Sequence, residues 1–371
     1  MAMTNSNIFE ASLAWFLQPI AGLLEDDAVT EIMVNGPDRI FAERHGRLER
    51  VNTRFADEDA LLSAIHNLTQ YVGRDISPER PILDARLPSG ARVHAIIPPA
   101  SRVGPCLTIR KFRADVMTLG DLVRFGALSP EAREFLQLCV LLRKNIIISG
   151  ASGAGKTSLL GAMTEAIPNE ERILVIEDTA ELNLRQPHVV YLQSQSASGG
   201  EGPSLRQLFV ASLRMRPDRI LVGEVRGGEA LDMLQALLSG HSGGLATVHA
   251  NTPRDALVRL ETLSLMSDVE LPVYVARAQV ASAVHLVVQL VRFPHDGSRK
   301  VTRIAEVRGL TSDQQYELAD LYAIQLTGRQ ADGQLCSTLQ ATGVRPNFAD
   351  EVRQYGLEGQ VQTTRDLWAH E

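Results

Sequence analysis

Cysteine is scarce in this chain of 371 residues: Cys106, Cys139 and Cys336 are its only three, and they lie far apart. That spacing contains no zinc-ligand pattern and no disulfide framework, so they read as reduced thiols in a cytosolic protein. Long apolar runs are missing as well. No uncharged stretch reaches the length needed to span a bilayer. The apolar segment from Ala11 to Leu24 has no basic run before it, which argues against a signal peptide. It reads as an amphipathic helix with Phe9, Leu13, Phe16, Leu17 and Ile20 near one face. Positive charge is not in excess. Thirty-seven Lys and Arg against 44 Asp and Glu leave a net charge of −7, so no global basic field draws the chain to nucleic acid or anionic lipid. If it works at a membrane, a partner must recruit it. There is no Asn-Lys-x-Asp segment of the kind that selects guanine.

What remains is an ordinary globular composition, 44% hydrophobic and 22% charged, in a chain long enough for two domains. After an N-terminal helix over residues 1–20, residues 21–115 read as a small α+β domain. Thr30–Val34 and Arg39–Glu43 are expected strands joined by the turn Asn35-Gly-Pro-Asp38. Leu48–Arg54, Ala91–Ile97 and Leu107–Phe112 are further strands, and Asp57–Val72 is a helix capped by Asp57. Residues 116–126 read as a linker. Over residues 127–310 strands and helices alternate, which argues for a mainly parallel sheet with helices on its faces. The expected strands are Asn145–Ser149, Arg172–Glu177, Arg219–Gly223 and Leu245–His249. The expected helices are Lys156–Ala166, Ser204–Met215, Gly228–Leu238 and Pro253–Leu265. Ser194–Pro203, rich in Ser and Gly, is an expected loop, and residues 311–371 read as a short C-terminal appendage.

Within this alternation lies Gly150-Ala-Ser-Gly-Ala-Gly-Lys-Thr157, which fits G-x-x-x-x-G-K-[ST] between a strand and a helix. Gly150, Gly153 and Gly155 let successive backbone N–H groups face one anion, and the helix N-terminus adds its positive end. Ser152, Ala154 and Ser158 complete the expected cradle. Lys156 is expected on the β- and γ-phosphates, and the Thr157 hydroxyl on Mg²⁺. Hydrolysis also needs carboxylates. Ile220-Leu-Val-Gly-Glu224 ends a hydrophobic strand in an acid, which makes Glu224 the candidate for activating water; an ion pair with Arg226 is the structural alternative. Leu174-Val-Ile-Glu177-Asp178 ends a second strand, with Glu181 just beyond. Glu177 and Glu181 are candidates for the metal and its waters, and a cap or solvated turn is the alternative. His241-Ser-Gly-Gly244 and Thr247-Val-His249 suit a γ-phosphate sensor, since an imidazole can donate to a phosphate oxygen.

Four boxes in this order resemble the hexameric ATPases of type II and type IV secretion and type IV pili. They are Gly150–Thr157 (Walker A), Ile176-Glu-Asp178 with Glu181 (Asp box), Arg214–Arg226 (Walker B, with the family's Gly-Glu ending) and Gly240–His249 (His box). Val29–Gly36, Pro81–Val93, Gly104–Phe112 and Ala341–Phe348 resemble the CpaF branch, which powers Tad (Flp, type IVc) pili. Many CpaF proteins carry a helical bundle ahead of this region. About 20 residues precede it here, so conjugative TrbB-type ATPases stay as an alternative. The resemblance implies a RecA-like P-loop core of the α/β class, a smaller N-terminal α+β domain, ATP and Mg²⁺ as ligands, and a homohexamer. It also implies an inner-membrane platform protein as partner, no specific nucleic acid, and membrane contact only through partners. In that family the N-terminal domain covers the nucleotide and supplies arginines to the γ-phosphate. The match places these at Arg92 and Arg110, with Arg102 and Arg113 as weaker candidates.

Overall fold

The computed structural model describes residues 12–44, 46–87, 89–111, 117–194, 202–329 and 335–368. Two units divide at Ala114.

The first unit is built on one antiparallel sheet of β1 (Val29–Asn35), β2 (Ile40–Arg44), β3 (Arg47–Val51), β4 (Ile82–Arg86), β5 (Arg92–Ile96) and β6 (Cys106–Arg110), in the order β3-β2-β1-β6-β5-β4. Helix α1 (Glu58–Tyr71) starts at Asp57, whose side chain accepts from the Ala60 amide as an N-cap should. Its Leu61, Ala64, Ile65 and Leu68 pack with Ile32, Val34, Val93, Ala95, Leu107 and Ile109 of the strands. The amphipathic N-terminal segment is part of this core. Leu17, Ile20 and Leu23 are buried in it, with Leu13 and Phe16 packed alongside. From residue 12 on, the segment is thus part of the first unit's core, and residues 1–11, Phe9 among them, lie outside the described residues. Strand β4 had no sequence signal, because only Leu83 of its five residues is buried.

The second unit is a nine-stranded sheet flanked by helices on both faces. Its strands are β7 (Ile146–Gly150), β8 (Ile173–Glu177), β9 (Val189–Gln193), β10 (Arg219–Val222), β11 (Leu245–Val248), β12 (Leu286–Arg292), β13 (Arg299–Leu310), β14 (Tyr316–Arg329) and β15 (Leu335–Ala341). The order is β15-β14-β13-β12-β7-β11-β10-β8-β9. From β12 to β9 every pairing is parallel, and β12 to β15 form an antiparallel extension. The four expected core strands are among these, and each is buried along its whole length, as a parallel sheet covered on both faces requires. Alternation decides which face each residue serves. Ile146, Ile148, Ile173 and Val175 face α2 (Leu119–Arg124), α3 (Pro130–Leu141) and α4 (Lys156–Met163). Ile147, Ile176, Val222 and Val248 face α5 (Leu205–Ser212), α6 (Glu229–Leu238), α7 (Pro253–Leu265) and α8 (Val273–Ala283).

Two expectations are corrected here. The linker 116–126 contains α2, which begins in a full capping box between Thr118 and Asp121 and buries Leu119 and Leu122. The appendage 311–371 is continuous with the second unit. It supplies β14 and β15 to the sheet, and Phe348, Val352 and Trp368 to the core under α3. Residues 195–201 of the expected Ser/Gly-rich loop lie outside the described residues, as does Arg113; the loop's base is closed by Ser194 Oγ donating to the Pro203 carbonyl at 3.1 Å.

Candidate nucleotide site

The glycine loop leaves the end of β7 and enters α4 with Gly155, at φ +95°, as the residue before the helix. Gly153, at φ +69°, shares this left-handed backbone, which costs glycine little. Gly150 is needed for another reason: a β-carbon there would lie 2.8 Å from the Leu290 carbonyl oxygen on β12. Lys156 is buried and its ammonium donates to the Ala151 carbonyl at 3.1 Å. The Ala154 amide donates to the same oxygen at 3.3 Å. Two donors of the loop thus converge on one acceptor, as they must to hold a phosphate oxygen. Thr157 lies in the first turn of α4, half-buried.

Beside the loop three of the expected catalytic residues, Lys156, His249 and Glu224, form one chain of contacts. Lys156 Nζ lies 3.2 Å from His249 Nδ1, His249 Nε2 lies 2.6 Å from Glu224 Oε1, and Glu224 Oε2 accepts from Arg226 at 2.5 Å. Arg226 reaches Asp178 at 2.6 Å with its other terminal nitrogen. The alternative weighed for Glu224, an ion pair with Arg226, is therefore present together with the His249 contact. Burial, and then the Lys156 charge, lower the pKa of His249 from its ordinary 6.5; Glu224 pulls the other way and is outweighed. A neutral ring satisfies both neighbours at once, with Nδ1 accepting from Lys156 and Nε2–H donating to Glu224. A histidine held neutral binds fewer protons when folded, so its contribution to stability is complete above about pH 6.5 and is lost as pH falls through its lowered folded value. The His249 resonances should titrate below 6.5, and Lys156→Met should move that midpoint upward. An unchanged midpoint would break the Lys156–His249 link.

Glu177 and Glu181 differ in their surroundings. Glu177 is buried, and its Oε1 accepts from the Glu181 and Leu182 amides at 2.9 and 3.0 Å. Through that oxygen it shapes the turn after β8; Glu181 is half-buried just beyond. Gly223 is tied to the same carboxylate, since a β-carbon there would meet Glu177 Cγ at 2.8 Å. The Gly-Glu ending of this strand thus places Glu224 by letting β10 pass close to Glu177. Among the described residues no group of three or more His, Cys, Asp and Glu is arranged to hold a metal ion.

Arg92 and Arg110 are cross-strand neighbours in the first unit. Arg92 makes a two-pronged contact with Asp84 at 3.0 and 3.2 Å. Arg86, which the sequence did not single out, pairs with Arg92 on the next strand, so three arginines share one row. Arg102 lies outside that row, exposed.

Two further residues at the P-loop had no sequence signal. Gln289, buried in the middle of β12, accepts from the Ser149 hydroxyl and donates to the Ala250 carbonyl at 3.3 Å. It joins the strand before the glycine loop to the residue after His249. Arg299 on β13 donates to the Gly153 carbonyl at 2.7 Å.

A parallel sheet with helices on both faces, a glycine loop at a strand end and a buried lysine within it define a P-loop nucleotide-binding fold. The chain belongs to the Type II/IV secretion system protein family, which matches residues 16–345. It is 38% identical over 318 residues to the type IV secretion system protein PtlH of Bordetella pertussis, covering 78% of this chain and 94% of PtlH. It is 36% identical over 316 residues to a putative conjugal transfer protein of Mycobacterium tuberculosis, covering 82% and 88%. VirB11 of Brucella suis is 32% identical over 326 residues, covering 80% and 90%. Among solved structures, the pilus retraction motor PilT with bound ADP aligns with a TM-score of 0.56 at 20% identity, over 96% of this chain and 91% of that one. This last likeness speaks to the fold alone.

Proposed function

We propose that this protein is an ATP-hydrolysing motor, working as a homohexameric ring, that drives a type IV pilus or secretion machine through a platform protein at the inner membrane. The observation that carries the reading is the unbroken chain of contacts from the P-loop lysine through His249 to Glu224. In this reading the loop amides and Lys156 hold the phosphates. Mg²⁺, held by Thr157 and the phosphates, neutralises charge on the transferring phosphoryl group. Each Glu224 oxygen accepts one contact, from His249 or from Arg226, and keeps a further acceptor direction for the attacking water. Arg92 and Arg110 take the arginine-finger role that the resemblance carries, His249 reports the γ-phosphate, and Glu181 orders water around the metal.

The finer assignment, a CpaF-type ATPase of a Tad pilus, rests on the segments Val29–Gly36, Pro81–Val93, Gly104–Phe112 and Ala341–Phe348. A conjugative or type IV secretion ATPase is the second reading, and the relatives named for conjugal transfer and type IV secretion favour it. No described helix is long and apolar enough to cross a membrane, so recruitment through a partner fits either machine. The test is steady-state phosphate release from ATP at several protein concentrations. Specific activity that rises with concentration, and ATP binding lost in Lys156→Ala, is the expected result. ATP that stays bound with no turnover at any concentration would replace the motor by a non-hydrolysing ring scaffold.

A further inference from the structure

We infer that Arg299, on β13, is a positioning residue that sets the phosphate-binding loop; the inference rests on the nucleotide reading of that loop. The first observation is contact. Arg299 Nε donates to the Gly153 carbonyl at 2.7 Å, a charge-assisted bond. Its Cδ lies 3.5 Å from the place a β-carbon on Gly155 would occupy, so the side chain runs along the outside of the loop from Gly155 to Gly153. The second observation is the covalent geometry of one peptide unit. The Gly153 carbonyl and the Ala154 N–H belong to the same trans peptide and point in opposite directions. Holding the carbonyl outward on β13 therefore turns the Ala154 N–H inward. There it meets the Ala151 oxygen, which Lys156 Nζ also contacts. Arg299 thus fixes one of the two donors that converge in the cradle, and it does so from the side of the loop away from Lys156.

The third observation is that the same ribbon backs every glycine of the loop. A β-carbon on Gly150 would meet the Leu290 carbonyl at 2.8 Å, one on Gly153 would meet Arg292 Nη1 at 3.4 Å, and one on Gly155 would meet Arg299 and, at 3.9 Å, Leu290. β12 and β13 thus form a wall against which the backbone of the loop lies. Such preorganisation acts on binding.

The experiment uses the full chain with ADP as the probe. Arg299→Leu removes the donor and is expected to weaken ADP binding about tenfold, the effect of losing a hydrogen bond to a charged group. KM for ATP should rise with kcat within about twofold of the parent, since ground and transition states lose the interaction alike. Arg299→Gln places an N–H at the atom position of Nε without the charge, and it should restore most of the affinity. Arg303→Leu, on the same strand and paired with Asp320, should leave ADP binding unchanged. Should Arg299→Leu fail to fold, Arg299→Met replaces it. Parental ADP affinity in whichever of these folds overturns the inference, and so does a Gln variant no better than Leu. A parent chain that binds no nucleotide sinks the function proposed above together with this inference, whereas a parent that binds while Arg299→Leu binds equally sinks this inference alone.

Discussion

Glu224→Gln is expected to lower ATP turnover by about 10²–10⁴-fold, the usual contribution of a positioned general base, while ATP still binds. Glu224 sits at the far end of the chain that starts at the P-loop, and its side chain is only 14% exposed between His249 and Arg226. A glutamine keeps the size and one acceptor oxygen for Arg226, which also keeps Asp178, and gives up the bond from His249. What it loses is the negative charge and the basicity that the proposed activation of water requires. The Lys156 ammonium, Gly153 and Gly155 are untouched by the change, so affinity for ATP should stay near that of the parent. Single-turnover phosphate release and ATP binding, measured side by side, separate the two effects. Turnover near the parental rate would remove Glu224 from its role and transfer it to another acid near the loop, with Glu181 the first to test.

The parts of this site that were legible in the sequence are those in which one short segment does the work. A phosphate cradle is made by eight consecutive residues, and a carboxylate at the end of an apolar strand is visible as such. Glu224 and His249 were each legible as polar residues at the end of a buried strand; their contact follows from β10 and β11 lying side by side. The remainder depends on sheet order, which is not sequence order. β12 docks in parallel beside β7, and only that pairing brings Gln289 to Ser149 and Arg299 to Gly153, about 140 residues apart in the chain. Nothing in Leu286–Arg292 by itself distinguishes a strand at a phosphate loop from any buried strand. The turn contacts of Glu177 were hidden for a related reason. Its identity and its place at a strand end fit a metal ligand, but its carboxylate turns back to the amides of the following turn. Strand β9 escaped notice although Val189-Val-Tyr-Leu192 is apolar, because it is a short, half-exposed edge strand with no alternation to mark it.

Trp368→Ala is expected to destabilise the second unit by about 3–5 kcal/mol, the range for removing a large aromatic from a packed interior. The ring is buried and stacked on Phe135 of α3 at 5.4 Å and 16°, with Phe348 at 6.2 Å, and its indole N–H donates to Thr364 Oγ1 at 2.8 Å. Phe135 itself packs against Tyr322 of β14, so the hole would open between a helix, the extended sheet and the C-terminal segment at once. The segment has a second anchor. Glu134 on α3 accepts from the Gln362, Thr363 and Thr364 amides and from both threonine hydroxyls. Burial alone would raise the Glu134 carboxyl, but the bonds from Thr364 and Thr363 outweigh it and bring its pKa down to about 2. Its contribution is complete above about pH 4.5 and is lost as pH falls toward 2, so acid and Trp368→Ala should release the same segment. Denaturant unfolding gives the cost, and protection of the 342–368 amides shows where it falls. A loss below about 1 kcal/mol would restore the picture of a loosely attached tail. The expected loss, with ATP affinity unchanged, would mean that the last residues of the chain complete the core on which α3 and the sheet that carries the P-loop are built.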